Sequence, residues 1–280
     1  MPVSTDSDDT GADYPRSFRQ SSLTPLGRRL RYFVSRLFGS RLQKSQRVAL
    51  VEINGQRYKR VILRDSYLAT LIEQSLEAFG PSTRLPGLVI RYEHEVWVEF
   101  VPGEVPNGAS DELAADLARF YAHVYSRSPR LADSDGDIWV TRLRRDIRFL
   151  ANVGVLSSGV AVSLEQSLAK RIPPRYWVGY DYNDPVIKNF VHGPGGELCG
   201  IDIEALVPDQ LIGLGVAKAL MRWMEPHRAV FFDTYAQTGA PDIAPFFDFV
   251  ELSQLAAYTK LMFVEHKWAN IVPARFDRFC

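Results

Sequence analysis

The chain has 280 residues and a mass of 31.7 kDa, with 46% hydrophobic and 24% charged residues and 33 Lys and Arg against 33 Asp and Glu. That composition belongs to a globular protein with one large core or two modest ones; it excludes collagen, wholesale disorder and a disulfide scaffold, for which two cysteines are too few. No run of eighteen apolar residues occurs and the first thirty residues lack the apolar core of a signal peptide, so the expectation is a cytoplasmic protein that spans no bilayer.

Residues 1–46 stand apart from the rest. Four aspartates and no base fall within residues 1–15, whereas eight arginines, one lysine and no acid fall within residues 16–47. The neutral total leaves the body mildly acidic at −5, which speaks against a nucleic-acid partner held by a basic face. Residues 1–26, rich in Ser, Thr, Asp, Gly and Pro, read as disordered. From Leu26 onward Leu30, Phe33, Leu37 and Leu42 fall near helical spacing with Arg29, Arg36 and Arg41 between them, the pattern of a basic amphipathic helix. Two uses compete for it. It packs on the protein's own body, or it attaches to an anionic membrane surface through Phe33, Leu37 and Phe38, which would place the protein peripherally on the inner face of the membrane.

Residues 47–105 read as a β-rich half. Two β-prone runs flank Asn54-Gly55, a dipeptide that supplies the positive φ angles of a tight hairpin. Asp65 then caps a helix with apolar positions at Leu68, Leu71, Ile72, Leu76 and Phe79, ending at Gly80. Two more strands follow, with Val96, Val98 and Phe100 alternating against Trp97 and Glu99, so the order is β-β-α-β-β. Residues 106–280 read as mostly helical, with helices over 111–126, 139–153, 163–172, 208–223 and 249–268. A single β region interrupts them, in which NFV and LCGIDI flank the Gly-Pro-Gly-Gly turn of residues 193–196.

That β region is where chemistry concentrates. Asp184 and Asn189 lie five residues apart before one strand, and Asp202 lies where the returning strand ends, so their oxygens can converge at one end of a hairpin. Such hard oxygen ligands suit Mg²⁺, which takes one or two carboxylates and completes its shell with phosphate oxygens and water. An aspartate between Ile201 and Ile203 on an apolar strand also needs a partner or a metal to be buried. The GLGVAKAL run at 213–220 imitates a dinucleotide loop but sits inside a helical pattern and reads as helix packing. The five histidines show no metal-ligand spacing, and Cys199 reads as a small core residue.

The stretch DPVIKNFV…GELCGIDIE resembles the catalytic and metal-binding segments of the protein-kinase-like superfamily, closest to aminoglycoside phosphotransferases and lipopolysaccharide-core kinases. The resemblance implies an α+β, two-lobed fold with a small β-rich N-lobe over 47–105 and a mainly helical C-lobe over 106–280. It implies ATP and Mg²⁺ as cofactors, and a hydroxyl on a small molecule or glycan as acceptor; with the basic leader, that points to a lipopolysaccharide-core sugar at the membrane. Asp184 takes the role of catalytic base, and Asn189 and Asp202 those of metal ligands. Lys59 matches the strand lysine that holds phosphate, though Arg57 and Arg60 flank it, and Glu73 or Glu77 would pair with it. EFVPGE, residues 99–104, looks like the connecting strand whose backbone, at Glu99 and Val101, meets adenine. Departures from the pattern are the absence of a G-x-G-x-x-G before Val48 and the Tyr182-Asn183 pair where the family has His-Gly or His-Arg. Asp181 is a second candidate base. The alternative from another class is a pseudokinase, a binding or scaffolding module that keeps the fold without turnover.

Overall fold

A computed structural model describes residues 45–280, and the expectations for residues 1–44 lie outside them. The described residues form two compact units: residues 45–69 with 89–100, and residues 70–88 with 101–280.

The first unit is an antiparallel sheet. Strands β1 (Ser45–Ile53) and β2 (Gln56–Leu63) join through Asn54 at φ 53° and Gly55 at φ 78°, both left-handed as the two-residue turn demands. Strands β3 (Leu88–Tyr92) and β4 (Glu95–Glu99) complete the order β1-β2-β4-β3. Lys59 pairs with Val98 and Val61 with Val96, so Lys59 shares a face with Val61, Leu63, Val96 and Val98, all of them buried. Arg60 is on the opposite face, where it pairs with Glu95 and lies 5.5 Å from the Trp97 ring centre. The exposed Arg57 reaches Glu52 at 3.5 Å. Of the three neighbouring cations, Lys59 is therefore the inward one.

Helix α1 (Ser66–Phe79) crosses from the first unit into the second between Ala69 and Thr70. The Asp65 carboxylate accepts from the Leu68 amide at 2.9 Å, and Gly80, at φ 60°, ends the helix. Ala69, Ile72, Ser75 and Leu76 form its buried stripe, with Glu73 half-buried beside it and Glu77 exposed.

The second unit is mainly helical: α2 (Asp111–Tyr125), α3 (Ile138–Asn152), α4 (Ser158–Arg171), α5 (Leu214–Ala219), α6 (Arg228–Ala236) and α7 (Phe247–Val264). Ser110, Asp137 and Ser157 cap the first three through side-chain oxygens. Helix α7 is apolar on most sides, as a helix enclosed by others must be. Three helices depart from the sequence reading. The expected helix over 208–223 begins as a strand, β9 (Leu206–Leu211), which with β5 (Arg130–Asp133) flanks β6 (Arg175–Tyr182) in an antiparallel sheet; the helix starts only after Gly213, at φ 105°. Both partner strands are short and polar in part, and only the pairing offered by β6 makes them strands. Helix α4 starts at Ser158, five residues earlier than its apolar spacing indicated, because Ser157 caps it. Helix α7 stops at Val264, where His266 turns left-handed at φ 54°, leaving Trp268 on a separate turn. The hairpin β7 (Phe190–His192) and β8 (Leu198–Gly200) is as expected, but β8 ends at Gly200, so Asp202 is a half-buried loop residue rather than a buried strand residue.

Candidate active site

Strand β6 is rich in aromatic residues and is paired on both edges, which makes it a rigid support for the loop that follows. Its last residues are fully buried. Tyr182 meets Phe120 edge-on at a ring distance of 5.1 Å and Phe190 at a tilt at 5.3 Å, and the Tyr121 hydroxyl donates to its carbonyl at 2.8 Å. Its own hydroxyl donates to the Asn189 carbonyl at 3.3 Å and accepts from the Asp202 amide at 3.0 Å. One phenol thus ties together the two loop segments that carry the candidate ligands. Burial, then the Asp202 charge, push its pKa well up, so the hydroxyl stays protonated and can keep donating.

Asp181 is not a base within reach of a substrate. It is fully buried, and its carboxylate accepts from the Gly215 amide at 2.9 Å, the Tyr182 amide at 2.7 Å and the Tyr125 hydroxyl at 3.0 Å. Burial raises its pKa to about 7 against the pull of those donors. Its place is structural: it fastens the end of β6 to the start of α5.

Asp184, Asn189 and Asp202 come together. The Asn189 amide nitrogen lies 3.2 Å from Oδ2 of Asp184 and 3.3 Å from Oδ2 of Asp202, and it also donates to the Asp184 carbonyl at 2.9 Å. The other carboxylate oxygen of Asp184, Oδ1, accepts from Lys218 at 2.9 Å and Arg222 at 3.1 Å. Partial burial alone would raise this carboxyl, but the Lys218 bond and charge and then Arg222 outweigh it and hold the pKa below the usual carboxylate range. Asp184 is therefore ionised at neutral pH, as a proton acceptor must be. With 41% of its side chain exposed it is also open to a substrate.

Four contacts to the loop at residues 183–185 come from one short helical segment. After α5 the chain widens into a π-helix, Leu220–Met224; Lys218 bonds the Asn183 carbonyl at 2.7 Å as well as Asp184, and the Trp223 indole donates to the Pro185 carbonyl at 2.8 Å. Sequence reading took this stretch for helix packing and missed Lys218, Arg222 and Trp223. The signal available was a single lysine inside the otherwise apolar run LIGLGVAKALM. Cys199 is buried with its thiol pushed up to about 12, an unreactive core group. The remaining candidates lie on other elements: Lys59 on the sheet face described above, Glu99 exposed at the end of β4, Val101 just past the boundary between units, and Glu73 and Glu77 on α1.

No protein-family model and no curated protein sequence matches the chain. Solved structures do. The chain is similar to macrolide 2'-phosphotransferase MphH from Brachybacterium faecium, with a TM-score of 0.55 at 14% identity over 81% of this chain and 87% of that one. It is similar to choline kinase LicA from Streptococcus pneumoniae, with a TM-score of 0.53 at 11% identity over 90% and 97%. It is also similar to a thermostable mutant of aminoglycoside phosphotransferase APH(4)-Ia in ternary complex with AMP-PNP and hygromycin B, with a TM-score of 0.53 at 10% identity over 88% and 97%. At such identities the likeness is one of fold, and the fold of this chain, a small β-rich part and a mostly helical part, is protein-kinase-like.

Proposed function

We propose that this protein is an ATP- and Mg²⁺-dependent phosphotransferase acting on a hydroxyl of a small molecule or glycan. The observation that carries the reading is the meeting of Asp184, Asn189 and Asp202 around one amide nitrogen, on a loop braced by buried groups. The solved structures of similar fold are named for phosphoryl transfer to macrolides, choline and aminoglycosides, and one of them holds AMP-PNP.

The donor set fits a magnesium ion. Among the described residues no group of three His, Cys, Asp or Glu side chains could hold a metal. A site of one or two carboxylates plus an amide, completed by phosphate oxygens, is what Mg²⁺ takes and what zinc does not. Asp202 and Asn189 would hold it; amide oxygen and nitrogen are isosteric, so Asn189 turned by half presents an oxygen to the same carboxylates. When bound, Mg²⁺-ATP would supply the γ-phosphoryl group to the acceptor oxygen and leave as ADP, and the metal would supply positive charge against the phosphates. Asp184 accepts a hydrogen bond from the acceptor hydroxyl, orients its oxygen and takes up its proton; Lys218 and Arg222 fix the carboxylate for that task. By the family resemblance Lys59 contacts phosphate, with Glu73 or Glu77 as its partner, and the backbone at Glu99 and Val101 meets adenine.

The test is a thermal-shift titration with ATP, with and without Mg²⁺, on the wild type, Asp202→Ala and Asp184→Asn. The expected outcome is metal-dependent stabilisation that grows with ligand, is abolished in Asp202→Ala and survives in Asp184→Asn, together with transfer activity lost in both by at least about a thousandfold. No shift at millimolar ATP would leave a kinase-like binding module without turnover as the better account. A lipopolysaccharide-core sugar at the membrane is the acceptor the basic leader favours. If cosedimentation with anionic liposomes is unchanged when residues 1–46 are deleted, that choice loses its support.

A further inference from the structure

Arg222 uses one donor of its guanidinium and leaves the rest open. It lies in the π-helical turn Leu220–Met224, and its Nη1 donates to Oδ1 of Asp184 at 3.1 Å. That carboxylate is its one partner among the described residues, so the other N–H groups of the fork face solvent or a ligand. Lys218 is placed differently. It is fastened a second time, to the Asn183 carbonyl at 2.7 Å, and its side chain is 21% exposed against 35% for Arg222. Both residues line a cavity of about 290 Å³, at the small end of ligand pockets, with Tyr258, Asn270 and Arg275 also in its wall. An acceptor whose hydroxyl meets Asp184 thus has space beside the guanidinium.

Phosphoryl transfer needs positive charge or hydrogen-bond donors where the equatorial oxygens gather negative charge. The first hairpin offers no glycine-rich row of amides for this, since its turn is Asn54 and Gly55 alone. Arg222 is one hydrogen bond from the carboxylate that orients the acceptor oxygen, which puts it within two hydrogen-bond lengths, about 6 Å, of where the new bond forms. A planar fork can hold two oxygens at once, as a point charge cannot. The reaction itself loosens its tie to Asp184. Asp184 takes the proton of the acceptor hydroxyl, the oxygen's electron pair forms the bond to phosphorus, and the pair of the breaking bond departs on ADP; the carboxyl left behind is neutral and holds a cation weakly.

Resting on the transferase reading, we propose that Arg222 is a catalytic residue that passes from the Asp184 carboxylate to the oxygens of the phosphoryl group in transfer, supplying there the charge that backbone amides would otherwise supply. Lys218, tied also to the Asn183 carbonyl, stays on Asp184.

The experiment uses the full chain and needs no acceptor. Binding of Mg²⁺-ADP is measured by isothermal titration with and without aluminium fluoride, which with ADP mimics the phosphoryl group in transfer. Wild type is expected to bind ADP about tenfold or more tightly with the fluoride present, because groups that serve the transition state bind its mimic best. Arg222→Ala should lose about tenfold of that gain while its affinity for Mg²⁺-ADP alone stays within about twofold. Arg222→Lys, which keeps the charge without the fork, should fall between, and it carries the test if melting curves show that Arg222→Ala is misfolded. An undiminished gain in Arg222→Ala and Arg222→Lys, an equal loss of affinity with and without fluoride, or no gain in the wild type overturns the proposal, and Mg²⁺-dependent ADP binding in the wild type leaves the transferase reading standing. If the wild type binds neither ADP nor ATP with Mg²⁺ at millimolar concentration, the transferase reading itself falls and the proposal with it.

Discussion

Two side chains one position apart carry the loop in different ways. Asp181 has its pKa raised from 3.8 to about 7 by burial, so the folded chain holds that proton more tightly than the unfolded chain does. Its contribution to stability is therefore greatest in acid and lost as pH rises from about 4 to about 7, at no more than about 1.4 kcal/mol per pH unit. Asp181→Asn removes this titration. Urea midpoints measured from pH 4 to 8 should show a flatter dependence in the variant, and parallel curves would show that Asp181 does not titrate there. Tyr182 contributes its hydroxyl. Tyr182→Phe leaves the Asp202 amide without its partner, an expected loss of about 1–3 kcal/mol in chemical denaturation, with weaker Mg²⁺-dependent ATP stabilisation alongside. A tyrosine in place of the family's histidine was read as a departure; the structure shows it making the ties that hold Asn189 and Asp202 in one place.

Helix starts and turns show why the same substitution has different costs. At Gly55 a methyl group would meet nothing, but φ is 78°, so Gly55→Ala should cost about 1 kcal/mol through backbone strain alone. At Gly215, in the first turn of α5, a methyl group would run into the Tyr121 hydroxyl, the Tyr182 carbonyl and the Asp181 carboxylate. Gly215→Ala is expected to cost about 1–3 kcal/mol and, by pushing α5 from β6, to lower transfer activity more than stability alone explains. Denaturation of both variants with a transfer assay separates the two cases. The local signals at Asn54-Gly55, Asp65 and Gly80 were readable because a turn or cap is decided by a few adjacent residues. Strands β5 and β9 carry no such signal, since each exists only where β6 offers its backbone.

Across the whole molecule the chain passes between its two units three times, at Ala69, Leu88 and Phe100, so neither unit is a continuous piece of sequence. Segment 70–88 is bound into the second unit by long-range contacts: the Gly200 amide donates to the Arg84 carbonyl at 2.9 Å, Ser82 bonds His123 at 3.0 Å, and Phe79 meets Tyr180 edge-on at 5.1 Å. A fragment of residues 101–280 lacks that segment and should lose cooperative melting, while the full chain keeps it; a sharp transition in the fragment would show that residues 70–88 are dispensable. By itself the sequence determined the short-range features: the first hairpin, helix α1 and its ends, the second hairpin, and the D-x-x-x-x-N and G-I-D-I-E segments that marked Asp184, Asn189 and Asp202. Only the tertiary structure decided that Lys218 and Arg222, 34 and 38 residues beyond Asp184, grip its carboxylate, that Asp181 is buried, and that Arg275 faces the same cavity. The reason is physical: caps, turns and periodicity act over a few residues, whereas the charge state of a carboxylate depends on whatever packing brings within a few ångströms, at any distance along the chain.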